Sequence, residues 1–405
     1  MNKTVFLTSV VAGALSLGAC DSFVNDVDPP VDLVASDSLN QVGNLPFLVT
    51  GVQQRFATAY GTTALLADGL SDAYRFAYGT SGATFPTYIE IDDGEIELDN
   101  NSVDGAYQDI NELRFLADDL IDRVTNQVEF GDDPPITQAE ALYTGNLYAG
   151  IARYFLATYI GLNPRQGGAT IDSGDFIPSS ALYEQAIANF QAALSNVDGG
   201  SYEARVVNSL IARTYLYAGN PPGEVAAAAA NGLVEGDPAF SALYSPQTNN
   251  PVWIGAGPGR TQYAADPRFE GDDLAPTEAY ETVSCDDTPF CEDGQETLTY
   301  ERQALYPTDS TPIPFITWQE TNLIRAEALL NSDNAQATTL VNAAYNGDDV
   351  DGLDLETLIG IRDQVLFTRG ARLVDQRRFD LWHLGPDTWQ YLPITQTERN
   401  ANPNI

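Results

Sequence analysis

The chain carries few of the side chains that bond-making chemistry requires. His383 is its single histidine, and its three cysteines are Cys20, Cys285 and Cys291. Nucleophilic catalysis pairs a Ser or Cys with a general base, catalytic zinc needs several His or Cys ligands, and phosphate loops need clustered glycines. None of these sets can be assembled, and His383, between Trp382 and Leu384, reads as a packed residue at a helix end. Carboxylates are plentiful, with 57 Asp and Glu, so an acid and nucleophile pair for glycoside hydrolysis is available by residue type. With so many acids, however, pairs arise by chance and no pattern singles one out. Two acidic runs beside glycine, Asp92-Asp93-Gly94-Glu95 and Asp348-Asp349-Val350-Asp351-Gly352, raise calcium. Neither has EF-hand spacing, since the second places Gly347 and Leu358 where the first and last ligands belong. Both read as solvated turns, and the expectation is a protein without catalytic residues, metal or cofactor.

The charge balance narrows the partners. Against the 57 acids stand 19 Lys and Arg, for a net charge of -38, and Lys3 is the only lysine. Phosphate backbones are bound by clustered cations, so nucleic acid is excluded. Hydrophobic residues at 43% and aromatics at 10% exclude disorder, leaving a folded protein with an acidic skin. Near-total loss of lysine with excess acid resembles proteins of salt-loving organisms.

The first residues address the chain to a membrane. Lys3 precedes an apolar stretch from Val5 to Leu15, too short for a comfortable span, which needs about 20 residues. Leu17-Gly18-Ala19-Cys20 then resembles a bacterial lipoprotein signal. That resemblance implies a leader over 1–19, cleaved before Cys20, and palmitate-type acyl chains on Cys20 that anchor the protein. Residues 20–37, with Asp26, Asp28, Pro29, Pro30 and Asp32, read as an acidic tether. Export suits a disulfide between Cys285 and Cys291, closing a small loop and contributing roughly 2 kcal/mol in the loop-entropy model.

Residues 38–405 read as one mainly α domain. Val42, Leu45, Leu48, Val52, Phe56, Ala59 and Tyr60 have helical spacing. Further helices are predicted over 102–127, from Thr137 to Ile160 with a capping box to Glu140, after Ser179 and Ser180 through Leu194, over Tyr202 to Ala218, and from Glu224 to Leu233. Small residues at packing positions, such as Gly145, Gly150, Ala157, Ala186 and Ala212, suit stacked antiparallel pairs. Ala204 to Gly219 resembles the second helix of a tetratricopeptide unit, so the frame is read as tetratricopeptide-like helical hairpins. Alone, that feature points to a scaffold for protein contacts. Two stretches interrupt the frame, at about 68–101 and 236–313, rich in Gly, Pro, Asn and Thr with scattered aromatics. They read as irregular, loop-rich insertions with a function.

The C-terminal third adds a more specific signal. Pro314-Phe315-Ile316-Thr317-Trp318 leads into Arg325-Ala326-Glu327-Ala328-Leu329, read as a helix beginning with the proline. A short helix follows from Ala335 to Tyr345, and then an element from Leu358 to Gly385 with Arg362, Gly370, Arg372, Arg377, Arg378, Phe379 and Asp380. The chain closes on Tyr391-Leu392-Pro393-Ile394 through Arg399 to Asn404. These three ordered motifs, with the Cys20 signal, resemble the SusD/RagB-like family. On physical grounds the motifs hold the fold: Asp375 and Arg378 lie one turn apart and can reach Glu327, while Phe379, Leu381, Trp382 and Leu384 pack inward.

The resemblance implies a lipid-anchored, surface-exposed outer-membrane protein that partners a SusC-like TonB-dependent transporter. Such a protein captures an oligosaccharide or a peptide and passes it inward without chemistry. Sugars present apolar C–H faces edged with hydroxyls, so the site should combine aromatic platforms with polar partners. The two insertions supply Tyr74, Tyr78, Tyr88, Trp253 and Tyr263, with Asn249, Asn250 and Gln262 beside them. A tetratricopeptide-type scaffold lipoprotein and, less favoured, a glycoside hydrolase are the alternatives.

Overall fold

The computed structural model describes residues 36–405. The leader, Cys20 and all but the last two residues of the tether lie outside the described residues. Short 3-10 turns at Ser36–Asn40 and Val42–Asn44 lead into α1 (Leu45–Leu70), which continues ten residues beyond Tyr60, the last residue in the sequence pattern. The frame continues with α3 (Asn101–Asn126), α4 (Gln138–Tyr159), α5 (Ser179–Leu194), α6 (Tyr202–Ala218) and α7 (Pro222–Ala229). After the second insertion come α9 (Trp318–Leu329), α10 (Asn334–Ala344), α11 (Leu355–Val365), α12 (Ala371–Arg378) and α13 (Gln396–Ala401). Each of α3 to α7 packs on its predecessor in the frame, α3 doing so on α1, and α9 packs on both α7 and α10. This is the layout of stacked helical hairpins. No described helix is long and apolar enough to cross a membrane.

Local chemistry sets these helices. Thr137 and Glu140 form the reciprocal capping box, Ser201 caps α6, and Gly219 ends it in the left-handed conformation at φ 78°. Ser179 and Ser180 form the start of α5 rather than preceding it, and Pro222 rather than Glu224 opens α7. Among the C-terminal motifs, Pro314 to Ile316 is not helical. It belongs to β9 (Ile313–Ile316), which pairs antiparallel with β5 (Phe240–Ala242). Thr317 caps α9 through its side chain, so the helix starts four residues after the proline.

The core is aromatic where the frame meets this pair. Phe315 stands edge-on to Phe56, Tyr60 and Phe155, at 5.2, 4.8 and 5.5 Å between ring centres. The Arg213 guanidinium lies 4.4 Å over the Phe315 ring, donates to its carbonyl and pairs with the buried Glu320.

The insertions are more ordered than their composition indicates. The first holds β1 (Tyr74–Phe76) and α2 (Pro86–Asp92); the second holds α8 (Pro251–Ala256), β6 (Tyr263–Ala265) and the hairpin of β7 (Thr277–Ser284) and β8 (Thr297–Gln303). β1 pairs antiparallel with β6, stitching one insertion to the other. Cys285 and Cys291 are joined as a disulfide in the turn of the β7 and β8 hairpin. A small sheet of β2 (Ile160–Asn163), β3 (Gln166–Ala169), β4 (Ile177–Pro178) and β10 (Leu392–Pro393) fastens the C-terminal segment to α4 and α5.

Candidate functional site

Several of the aromatic and amide residues predicted to meet ligand are instead pins between the insertions and the frame. Tyr74 and Tyr263 are buried and stacked at 6.1 Å, and Tyr88 packs on Tyr263 at 4.9 Å. The Tyr263 hydroxyl donates to the Tyr88 carbonyl. Rings 2% and 0% exposed have no free face for a sugar, so Tyr74 and Tyr263 are structural. Gln262 is buried as well: its Oε1 accepts from the backbone N–H of Thr84 and Phe85, and its Nε2 donates to Gly82. Asn250 caps α8 by accepting from Val252 and Trp253, and donates to the Thr311 carbonyl. The two amides share one physical reason. A buried polar group without a partner costs free energy, and these amides satisfy backbone that helices and strands leave open.

The remaining candidates are scattered. Tyr78 is half-buried between Phe76 and Phe290. Trp253 is half-buried against Gly259, with its indole N–H buried and unpartnered, and Asn249 is exposed. None of the three lines the cleft that the frame forms with the second insertion.

That cleft, of about 580 Å³, lies between the frame and the start of the second insertion. The N-terminal half of α1 contributes Thr50, Gln53 and Gln54, α4 contributes Tyr148, and the first turn of α6 contributes Tyr202. Phe240, Ser241, Leu243, Tyr244, Ser245 and Thr248 form the opposite wall. Tyr244 is held by its hydroxyl, which donates to the Ala57 carbonyl at 2.8 Å, and Tyr148 by its ring, 5.2 Å from Phe56. Ser245 and Thr248 close a tight turn through paired backbone bonds and a 3.0 Å contact between their hydroxyls. Burial raises the Tyr148 and Tyr202 phenols above their ordinary pKa, so both are neutral hydrogen-bonding groups near pH 7.

No residue lining this cleft is charged. In a chain with 57 acids that is a selective feature, and it fixes what the cleft can do. Aromatic faces can stack on apolar C–H surfaces while amides and hydroxyls pair with hydroxyls. Glycoside hydrolysis needs two carboxyl groups flanking the bond, and the cleft offers none.

Sequence reasoning placed Phe240 and Tyr244 among the insertion aromatics without selecting them. Tyr148 and Tyr202 sit in helices whose periodicity marks them as packing residues, and only the open side of the frame distinguishes them. His383 lies outside the cleft, in the exposed segment after α12, with Nδ1 3.0 Å from the Gln376 amide nitrogen.

The C-terminal motifs hold the fold. Arg362, with no side-chain exposure, binds Asp375 through Nε and Nη2 at 2.7 and 2.9 Å. Arg378 pairs with both Asp375 and Glu327. Leu381 departs from the predicted inward packing and is 38% exposed, because α12 ends at Arg378 and the chain turns outward.

No protein-family model matches the chain, and no curated protein matches it in sequence. Solved structures do match. A SusD superfamily protein from Bacteroides thetaiotaomicron superposes with a TM-score of 0.67 at 15% identity, over 90% of this chain and 99% of that one. This chain has the SusD fold. A laminarin-binding SusD-like protein (TM-score 0.65, 15% identity, 89% and 99% covered) and NanU of B. fragilis (0.64, 14%, 94% and 98%) share the SusD fold with it. The uncharged cleft opens between the helical frame of this fold and the second insertion.

Proposed function

We propose that this protein is a lipid-anchored, surface-exposed outer-membrane binding protein that captures a neutral oligosaccharide in the uncharged cleft. It then passes the sugar, unaltered, to a SusC-like TonB-dependent transporter. The observation that carries this reading is the cleft lining: Tyr148, Tyr202, Phe240 and Tyr244 with amides and hydroxyls, and no charged group. The SusD fold, shared with a laminarin-binding protein, supports carbohydrate as the ligand class. The Cys20 signal supports the anchor, and the anchor in turn supports a membrane partner.

The test is a binding screen of the purified protein against malto-, cello- and laminari-oligosaccharides and a pool of neutral peptides. Saturable binding of a neutral glycan without turnover is the expected result. Release of reducing sugar would replace this reading with hydrolysis, and retention of peptides alone would replace the sugar. Affinity capture from solubilised outer membranes should recover a TonB-dependent barrel, and its absence would remove the hand-over step.

A further inference from the structure

A second cavity, of about 350 Å³, lies where the end of α6 and the C-terminal half of α12 meet the first turn of α5, beside Tyr391. It shares no lining residue with the uncharged cleft. Two arginines, Arg377 and Arg378, line it, and no carboxylate does.

The two arginines differ. Arg378 is balanced by Asp375 and Glu327. Arg377 has no ion pair: its Nη1 and Nη2 donate to the Gln390 and Thr158 carbonyls, both at 2.6 Å, and its guanidinium carbon lies 4.2 Å from the centre of the Tyr391 ring. Carbonyls and a ring face fix a guanidinium in place without cancelling its charge. Five N–H donors belong to the group, so the two carbonyls leave most of them open. Arg377 is half-buried, and its Nε, which has no partner, is not sealed in the core. Glu184, one turn along α5 from Ser180, is exposed and stays outside the lining. In a chain with 57 acids, this cavity keeps one uncompensated positive charge.

Hydroxyls complete the lining. Those of Ser180, Tyr217 and Tyr391 make no hydrogen bond among the described residues, Ser180 being exposed and both rings half-buried. Burial holds the Tyr217 phenol protonated, so it can donate. N–H and O–H donors on several walls suit an acceptor whose oxygens point in several directions, which is a tetrahedral oxyanion. A cation is repelled, and an apolar ligand would leave the donors unpaired.

We propose that this cavity is a second binding site, for a small oxyanion of the phosphate or sulfate type, in which Arg377 supplies the charge and the Ser180, Tyr217 and Tyr391 hydroxyls supply further hydrogen bonds. A free ion and an ester carried on a sugar share this chemistry. The site is independent of the cleft that takes neutral glycan.

The experiment is equilibrium dialysis of the full chain against labelled inorganic phosphate and sulfate, with ionic strength held constant by NaCl. Saturable uptake is expected, about tenfold weaker in Arg377→Gln and in Ser180→Asp. Ser180 is exposed at the start of a helix that no side chain caps, where an acid is favourable, so Ser180→Asp should keep the parent Tm while filling the site with the wrong charge. That variant tests the site even if Arg377→Gln disturbs the fold. Galactose 6-sulfate displacing the label more strongly than unlabelled sulfate assigns the site to a sugar ester, and weaker displacement assigns it to the free ion. No saturable uptake of either ion by the parent protein, undiminished uptake in either variant, or displacement by galactose itself would overturn the proposal. Tyr202→Ala weakens only neutral glycan, so failure of the cleft reading and failure of this one give different results.

Discussion

The ring of Tyr263 occupies the space where a Cβ on residue 69 would have to go. Gly69 lies in the last turn of α1, and a side chain there would run into the ring carbons and hydroxyl of Tyr263 at well under contact distance. Gly61, two turns earlier, is filled in the same way by Pro251 and the Tyr244 hydroxyl, with a Cβ coming within 2.5 Å of both. The second insertion is therefore docked into notches cut along α1. Gly69→Ala should overpack a closed contact and lower stability by about 1–3 kcal/mol despite alanine's better helix propensity. Thermal denaturation checks this, and an unchanged or raised Tm would show that the insertion floats free of the helix.

Two buried carboxyls make stability depend on pH. Burial raises Asp68 to about 8, although its Oδ2 accepts from the Gly370 N–H, and it raises Asp92 to about 7. A carboxyl whose pKa is raised on folding binds a proton more tightly in the folded state. Its stabilisation is complete below the unfolded value near 4 and is lost as pH climbs through 7 and 8. Asp72, held below its ordinary value by Arg372 and Arg268 against the pull of its burial, works in the opposite sense, but its effect is complete above about pH 4. Unfolding followed from pH 5 to 8 should show falling stability, with a shallower slope in Asp68→Asn. A rise across that window would contradict the assignment.

Arg362 and Arg378 serve folding and leave the cleft untouched. Removing Arg362 leaves the buried Asp375 with Arg378 as its one remaining cation, and breaking a buried pair costs about 3–5 kcal/mol. Arg378→Ala leaves Glu327 and part of Asp375 unpaired and should cost less. Denaturant unfolding of Arg378→Ala should show the loss, while its affinity for neutral glycan stays at the parent value. Lost binding at unchanged stability would move Arg378 into the site.

Tyr202 is the cleft ring whose removal should do least harm to the fold, being half-buried at a helix start. Tyr202→Ala should weaken neutral glycan binding by about tenfold, a loss of about 1.4 kcal/mol, with little change in Tm. Calorimetry on the two proteins decides it.

Salt should stabilise the protein. Beyond Lys3 the chain sets 57 acids against 18 arginines, and among the described residues most of the acids are on the surface. At 1 M ionic strength the Debye length is about 3 Å, so repulsion among exposed carboxylates is screened while buried pairs such as Arg362 with Asp375 are largely spared. Tm should rise steeply from dilute buffer to molar NaCl, and a flat response would reject adaptation to salt.

Features set by neighbours a few residues apart were the ones most legible in the sequence. The Thr137 and Glu140 capping box, the 202–218 helix and its stop at Gly219, and the Asp375, Arg378 and Glu327 cluster were all legible because caps and helix faces involve residues three or four positions apart, and because the C-terminal motifs resemble a known fold. The strand at Ile313–Ile316 was not legible, because its partner, Phe240–Ala242, lies some 70 residues away, and local pattern made Pro314 a helix start. Nor was the fate of the aromatics. No local pattern separates Tyr74 and Tyr263 from Tyr202 and Tyr244, yet the first two are sealed by the β1 and β6 pairing and the Gly69 notch, while the second two line the cleft. Which face of a ring meets solvent is decided by what packs on it from nearly 200 residues away in sequence, and only the tertiary structure brings that partner to it.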